Sequence, residues 1–117
     1  MNDAVLNSMT ASERRLVAET SAEAEAIEHG LESIAGCHRR IVLLHYAPIR
    51  ETLHGEPETI WAFLGSGRLA GPIGAHRPDL VLHGHAHHGS PAGAIGEVPV
   101  RNVAVHVVGS DFALLRC

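Results

Sequence analysis

The sequence lacks a long apolar run, an excess of basic residues and a rich set of cysteines. A membrane-spanning helix needs about 20 consecutive apolar residues, and binding to a nucleic-acid backbone needs a basic surface. The formal net charge of -4 does not imply a nucleic-acid partner, and the lack of a long apolar run indicates no membrane partner, so we expect a soluble protein. Cys37 and Cys117 stand far apart in a chain without a signal peptide, which indicates free thiols and a cytoplasmic location.

What the sequence does contain suits one domain, since 117 residues with 45% hydrophobic content can bury a modest core. Residues 1–9 show no clear pattern and are expected to fray. A long amphipathic helix is predicted over residues 10–36, because Thr10-Ala11-Ser12-Glu13 has the form of a capping box and Gly36 is a typical stop. The apolar residues at helical spacing are Val17, Ala24, Ile27, Leu31 and Ile34. The acidic residues, interpreted as a solvated face, are Glu19, Glu23, Glu25, Glu28 and Glu32.

After this helix, short apolar runs separated by turn residues indicate the strands of a mixed α/β domain. Strands are expected at residues 41–44, 79–82, 98–100, 103–108 and 112–115. A glycine-rich turn is expected over residues 89–96. Residues 57–75 are expected to form one or two short helices, broken at residues 65–67, with Trp61, Phe63 and Leu64 packed inward.

Four of the ten histidines fall within six residues, in the segment Val81-Leu82-His83-Gly84-His85-Ala86-His87-His88. Alternate residues of an extended segment point the same way, so His85 and His87 are expected to share one side of the backbone. Neutral imidazoles bind borderline metals such as zinc, manganese, iron or nickel. Gly84 supplies a tight turn where the backbone can approach an ion. The spacing predicts a ligand loop, although imidazoles also serve as ordinary hydrogen-bonding surface groups.

A fifth histidine stands in a similar position. His45 is the first polar residue after the apolar run at 41–44, as His83 is after the run at 79–82. Ligands of α/β sheets lie beyond the carboxyl ends of the strands, so we expect His45 to converge on His85 and His87. The alternative is that His45 caps its strand with its hydrogen bonds satisfied.

These residues together resemble a known family. Leu43-Leu44-His45-Tyr46-Ala47-Pro48 followed by Asp79-Leu80-Val81-Leu82-His83-Gly84-His85-Ala86-His87 is similar to the last two motif blocks of the calcineurin-like metallophosphoesterases. Val98-Pro99-Val100-Arg101-Asn102-Val103-Ala104 resembles the strand pair that follows them. The resemblance covers residues 39–116. It implies the C-terminal half of a four-layer α/β/β/α sandwich, in a partial domain at residues 10–117.

The resemblance also implies a chemistry. In that family two divalent ions, of the manganese, iron, zinc or nickel class, activate a hydroxide against a phosphomonoester or phosphodiester. By motif, His45 and His85 would be ligands of one ion and His87 a ligand of the other. His83 and His88 flank the motif. We expect them to be surface histidines, the alternative being that they support the ligands or face the substrate.

The family's earlier blocks, Asp-x-His, Gly-Asp-x-x-Asp and Gly-Asn-His-Glu/Asp, do not occur in this sequence. Three neutral imidazoles neither offset nor bridge two cations, a task that requires carboxylates. The glutamates after His45, which are Glu51, Glu56 and Glu58, are expected to be exposed to solvent. We therefore interpret the chain as the C-terminal half of a metallophosphoesterase that is inactive by itself.

Half of a sandwich is expected to expose an apolar sheet face, at the 41–44 strand or the 103–108 strand. Such a face would be covered by a missing N-terminal half or by self-association. The alternative function is a single-metal module, in which His45, His85 and His87 hold one zinc or nickel ion without catalysis. A third possibility is a chain that binds no metal.

Overall fold

The computed structural model describes residues 10–61, 65–109 and 115. These residues form the elements α1 (Ala11–Ser33), β1 (Ile41–Leu44), α2 (Ala70–His76), β2 (Leu80–His83), β3 (Ala92–Ile95), β4 (Val98–Asn102) and α3 (Val105–Val108). The fold is mixed α/β with a long N-terminal helix, as predicted. Among the described helices, none combines the length and the apolar character needed to cross a membrane.

Helix α1 begins where the sequence predicts. The Thr10 Oγ1 atom accepts a hydrogen bond from the Glu13 backbone N–H, and the Glu13 carboxylate accepts one from the Thr10 N–H, both at 3.1 Å. This pair is the predicted capping box, which typically contributes about 1 kcal/mol. The helix ends at Ser33, three residues before Gly36, which lies in the turn that follows. Ile27 and Leu31 are buried on its inner side, as their spacing predicts.

The four strands form one mixed sheet in the order β1-β2-β4-β3. β1 is parallel to β2 and β2 is parallel to β4, whereas β3 is antiparallel to β4. The connection from β1 to β2 contains three short 3-10 helices, Glu51–Leu53, Glu58–Ile60 and Gly67–Leu69, followed by α2. The predicted helical character of residues 57–75 is confirmed for the described part, while Phe63 and Leu64 lie outside the described residues.

The two faces of the sheet differ in burial. One face packs against α1 and α2 in the main core, which includes Ile27, Leu31, Val42, Leu44, Leu69, Ile73, Val81 and Val100. Burial of one such side chain contributes about 1.5–3 kcal/mol. On the opposite face, Ile41 is 45% exposed and Leu43 is 76% exposed. The prediction of an exposed apolar surface on the 41–44 strand is confirmed for these two residues.

Two predictions about the C-terminal part were wrong. Residues 105–108 form the short helix α3 and not a strand, which shows that an apolar run alone does not distinguish the two. The predicted turn at 89–96 contains strand β3, whose Ala-Gly-Ala-Ile sequence carries little strand propensity. β3 is stabilised by its hairpin with β4, closed by Gly96-Glu97, where Gly96 has φ of 59°. Residues 112–114 lie outside the described part of the chain.

Candidate metal centre at the strand ends

The histidines of both motifs lie at the carboxyl ends of adjacent parallel strands. The register pairs Leu44 of β1 with His83 of β2, so the two strands end at the same edge of the sheet. His45 follows β1 directly, and the histidine loop, residues 83–88, begins at the last residue of β2. The parallel sheet therefore brings two segments 40 residues apart in the chain to one edge, the position where α/β proteins bind ligands.

His45, Tyr46 and His85 form a cluster of three rings, which we call the ring cluster. The centroids of the two imidazoles lie 4.5 Å apart with their planes tilted by 33°. The Tyr46 ring makes edge contacts with both, at centroid distances of 5.0 Å to His45 and 5.6 Å to His85. His45 is exposed and His85 is half-buried, so both imidazoles are open to a ligand from solvent.

The backbone turns sharply at His85. Its φ of 68° lies in the left-handed region, which residues other than glycine adopt infrequently. Hydrogen bonds from the Ala86 N–H to the Gly84 carbonyl (2.8 Å) and from the His87 N–H to the His85 carbonyl (2.9 Å) close the turn. A Cβ atom at Gly84 would meet no heavy atom within 4 Å. The prediction that Gly84 makes the turn was wrong, because the left-handed residue is His85 and Gly84 has no positive φ. The segment therefore turns at His85 and does not continue as an extended strand.

His87 is exposed on the same loop but does not complete a triad with the ring cluster. Among the described residues, the ligand atoms of His45, His85 and His87 do not all lie within 4.8 Å of one another. His45 and His85 therefore fit a pair of ligands for one borderline ion, without His87 as a third ligand.

His83 is not a surface histidine, so that prediction was wrong. Its side chain is fully buried, with Nε2 2.7 Å from the Thr52 hydroxyl oxygen and Nδ1 2.9 Å from the Gly84 carbonyl oxygen. A carbonyl oxygen only accepts, so Nδ1 carries the proton and Nε2 accepts the hydrogen bond of the Thr52 hydroxyl. Burial disfavours the imidazolium and lowers the pKa of His83. His88, in contrast, is exposed as predicted.

The buried end of the histidine loop is held by residues that the sequence did not single out. The Asn102 side-chain N–H donates to the Ala86 carbonyl at 2.9 Å, and the Asn102 Oδ1 accepts from the Ala104 N–H at 3.2 Å. A Cβ atom at Gly89 would lie 2.1 Å from the Thr52 carbonyl oxygen, so the loop requires glycine there. We call His83, Thr52, Gly89 and Asn102 the packed network.

Glu56 also differs from the prediction, which was exposure to solvent. It is buried, and its carboxylate accepts a hydrogen bond of 2.6 Å from the His88 backbone N–H. Glu51 and Glu58 are exposed, as predicted. The Glu56 carboxylate stabilises the loop, and among the described residues no carboxylate joins His45 and His85 in a ligand group of three.

A second cluster with metal-ligating atoms lies away from the strand ends. Glu28 and Glu32, one turn apart on α1, lie close to His76 at the end of α2, with one ligand atom of each within 4.8 Å of the others. His76 Nε2 is 2.8 Å from a Glu28 carboxylate oxygen, and this hydrogen bond lowers the pKa of Glu28. The i, i+4 spacing of the glutamates was visible in the sequence, but their partner His76 was not. The contact joins the two helices that cover the sheet.

The ring cluster offers two accessible imidazoles at a sheet edge, and imidazole is a common ligand of borderline divalent cations. Its neutral donors suit a borderline divalent cation, and the charge of such a cation would have to be offset by groups outside the cluster. No family model, curated protein or solved structure matches the chain.

Proposed function

We propose that this chain carries the histidine side of a calcineurin-like metallophosphoesterase centre, which hydrolyses a phosphomonoester or phosphodiester once the other ligands are supplied. The observation that most supports the proposal is the distance of 4.5 Å between the His45 and His85 rings, which come from separate motif blocks. The resemblance depends on the combination of the two blocks in this order and spacing. Their approach at adjacent strand ends is what a shared metal ion requires.

In this proposal, His45 and His85 hold one divalent cation and His87 holds a second. When bound, such a pair of cations supplies Lewis-acid activation of water and of the phosphoryl oxygens. Tyr46 restricts both imidazoles of the ring cluster through its edge contacts, so that less rotational freedom is lost on binding. The packed network fixes the backbone from which His85 and His87 project.

The same proposal implies that the isolated chain has no phosphoesterase activity. Bridging and charge compensation need aspartate or glutamate, the family blocks that carry the aspartates do not occur in the sequence, and Glu56 is engaged with His88. We propose that a segment carrying those blocks, from a longer protein or a separate chain, completes both the centre and the four-layer sandwich. Sequencing of the DNA upstream of the Met1 codon tests this, because an in-frame reading with Asp-x-His and Gly-Asn-His blocks is expected.

Metal binding by the purified chain is the most direct test of the ring cluster. We expect calorimetric titration with Zn²⁺ or Mn²⁺ to show saturable binding. Loss of a residue that merely orients a ligand typically costs 10- to 100-fold in metal affinity, so His45→Ala and His85→Ala should each weaken binding by about 100-fold or more. His29→Ala, at an exposed position on α1, is the matched control and should bind as the parent does. Equal binding by all variants would exclude the ring cluster as the site.

An assay of phosphate-ester hydrolysis distinguishes the incomplete phosphoesterase centre from the single-metal module. The chain alone is expected to show negligible hydrolysis of an aryl phosphate with either metal, whereas addition of a segment bearing the missing blocks should restore it. Metal-dependent hydrolysis by the chain alone, abolished in His85→Ala and His87→Ala, would contradict the incomplete centre. One tightly held ion per chain, with no hydrolysis even after the segment is added, would favour the single-metal module instead.

The exposed side chains of β1 support the need for a partner. Ile41 and Leu43 lie on the sheet face that α1 and α2 do not cover. We propose that the completing segment covers them, and that copies of this chain associate through them in its absence. Size-exclusion chromatography should show concentration-dependent association that Leu43→Thr reduces and Leu115→Thr does not. A monomer at all concentrations would count against this surface.

A further inference from the structure

A pocket of about 500 Å³ is lined in part by Ile49, Arg50 and Leu53, which belong to the segment that follows His45. It is within the usual size of small-molecule sites, which is about 300–1,000 Å³. Trp61, Arg50, Glu58 and the turn at residues 65–67 contribute to its walls. None of these residues belongs to the ring cluster or to the packed network, so the pocket has no role yet in the proposed centre.

The indole of Trp61 is held in place from two directions. It stacks on His54 with a centroid distance of 5.7 Å and an angle of 15° between the planes. Its Nε1–H donates to the Glu56 carbonyl at 2.9 Å. An aromatic surface that is fixed in advance loses little conformational entropy when a planar ligand stacks on it.

Both sides of the pocket are connected to the histidine-bearing segments. On one side, the Glu56 carboxylate accepts from the His88 N–H at 2.6 Å, which joins the Trp61 region to the histidine loop. On the other, the Ser66 N–H donates to the Ala47 carbonyl at 2.9 Å, two residues after His45. A Cβ atom at Gly65 would lie 2.2 Å from the same carbonyl oxygen, so glycine is required for this close contact.

The pocket also carries a guanidinium that is available to a ligand. Within the described part of the chain, Arg50 is exposed and its side chain has no hydrogen-bond or ion-pair partner. A guanidinium binds phosphate with two parallel hydrogen bonds, whereas an indole stacks on a flat ring. The combination suits a ligand that has both an aromatic ring and a phosphate.

We propose that this pocket binds a nucleoside phosphate, with the base against Trp61 and the phosphate side toward Arg50. The inference deepens the proposed function and rests on it, because it names the substrate class of the phosphoesterase centre. Trp61 and Arg50 act here as residues that determine specificity, while the histidines of the proposed centre act on the phosphate.

Trp61 is the only tryptophan of the chain, so its fluorescence reports on the pocket directly. The purified chain is titrated with adenosine 5'-monophosphate, adenosine and ribose 5-phosphate, each in buffer that contains a chelator and no added metal. We expect saturable quenching by the nucleotide and by adenosine, and none by ribose 5-phosphate, which lacks the ring. Absence of saturable quenching by the nucleotide, or an equal response to ribose 5-phosphate, would overturn the proposal.

Calorimetry with variants assigns the two contacts. Trp61→Leu should weaken nucleotide binding about tenfold, whereas Trp61→Phe, which keeps a stacking ring, should remain within about threefold of the parent. The parent chain should bind the nucleotide more tightly than adenosine. Arg50→Gln should remove this difference in affinity, whereas Arg39→Gln, at another exposed arginine, should keep it. Equal binding by Trp61→Leu and the parent, with circular dichroism confirming that both are folded, would exclude the stacking contact.

These measurements can be interpreted even if the phosphoesterase proposal fails. They use no metal and no hydrolysis, so nucleotide binding can be observed in a chain whose ring cluster binds no ion. Conversely, metal binding at His45 and His85 with no change of Trp61 fluorescence on addition of the nucleotide would support the metal centre and contradict the nucleoside phosphate proposal.

Discussion

The packed network and the ring cluster are two regions that use histidine in opposite ways within one loop. In the packed network, His83 is fully buried and both ring nitrogens have hydrogen-bond partners. In the ring cluster, His45 and His85 keep their imidazoles open to solvent and contact mainly other rings. Only Gly84 separates His83 from His85 in the chain. Burial nevertheless gives His83 a structural role and leaves His85 available for binding.

Histidines of one motif can therefore serve two different purposes, support of the fold and binding of a ligand. A buried imidazole with both nitrogens paired has no free lone pair for a metal ion, and its replacement affects the fold. An exposed imidazole costs little to replace in terms of stability, but a ligand is lost with it. Replacement of a histidine by alanine is therefore expected to reduce stability in the packed network and to reduce ligand binding in the ring cluster.

The largest effect is expected for His83→Ala. The substitution creates a cavity and leaves the buried Thr52 hydroxyl without its partner, so the free energy of unfolding should fall by about 3 kcal/mol. Urea denaturation measures it, with the exposed His88→Ala as the matched control, which should change stability by less than about 0.5 kcal/mol. A similar small effect for both variants would remove the distinction between the two regions.

Gly89→Ala should follow, with a loss of about 2–3 kcal/mol. Its new Cβ would lie 2.1 Å from the Thr52 carbonyl oxygen and 3.0 Å from the Asn102 side-chain nitrogen, and the backbone atom cannot move aside cheaply. Gly84→Ala, in the same loop with nothing within 4 Å, is the control and should be nearly neutral. Equal thermal stability of the two alanine variants would show that the packed network tolerates expansion.

The pH dependence of stability should also reflect the packed network. Burial lowers the pKa of His83, so the unfolded chain, with a histidine pKa near 6.5, takes up a proton before the folded chain does. The contribution of neutral His83 is therefore complete above about pH 6.5 and is lost as the pH falls through the folded pKa. Unfolding measured in a chelator should show a shallower decline below pH 6.5 in His83→Gln than in the parent, whereas His88→Gln should keep the parent slope. An unchanged slope in His83→Gln would contradict the buried neutral ring.

The smallest effect on stability is expected in the ring cluster. Because His45 is exposed and His85 half-buried, His45→Ala and His85→Ala should each change the free energy of unfolding by about 0.5 kcal/mol or less in the absence of metal. With Zn²⁺ present, a difference from the parent should emerge, since an ion that binds only the folded chain stabilises it. A large loss of stability without metal would place these histidines with the packed network.

Much of the candidate site was visible in the sequence, and its limits have a physical cause. His45 and His85 were predicted to converge because both follow uninterrupted apolar runs of parallel strands, and their rings lie 4.5 Å apart. The burial of His83 was missed because it depends on Thr52, which is 31 residues away and carries no motif. The buried Glu56 was missed for the same reason, since its partner is a backbone N–H 32 residues along the chain.

Local sequence was sufficient to establish the start of α1, the positions of β1 and β2, and the order of the two histidine blocks. These features depend on residues within a few positions of each other, such as the capping box and the apolar runs. The folded structure was needed to show which histidines are buried, which face of β1 is exposed, and that Ala92–Ile95 is a strand. Burial of the histidines and exposure of one face of β1 depend on segments that are distant in the chain, and β3 depends on its pairing with the adjacent strand β4. Burial and strand pairing are properties of the packed structure and not of a single local stretch.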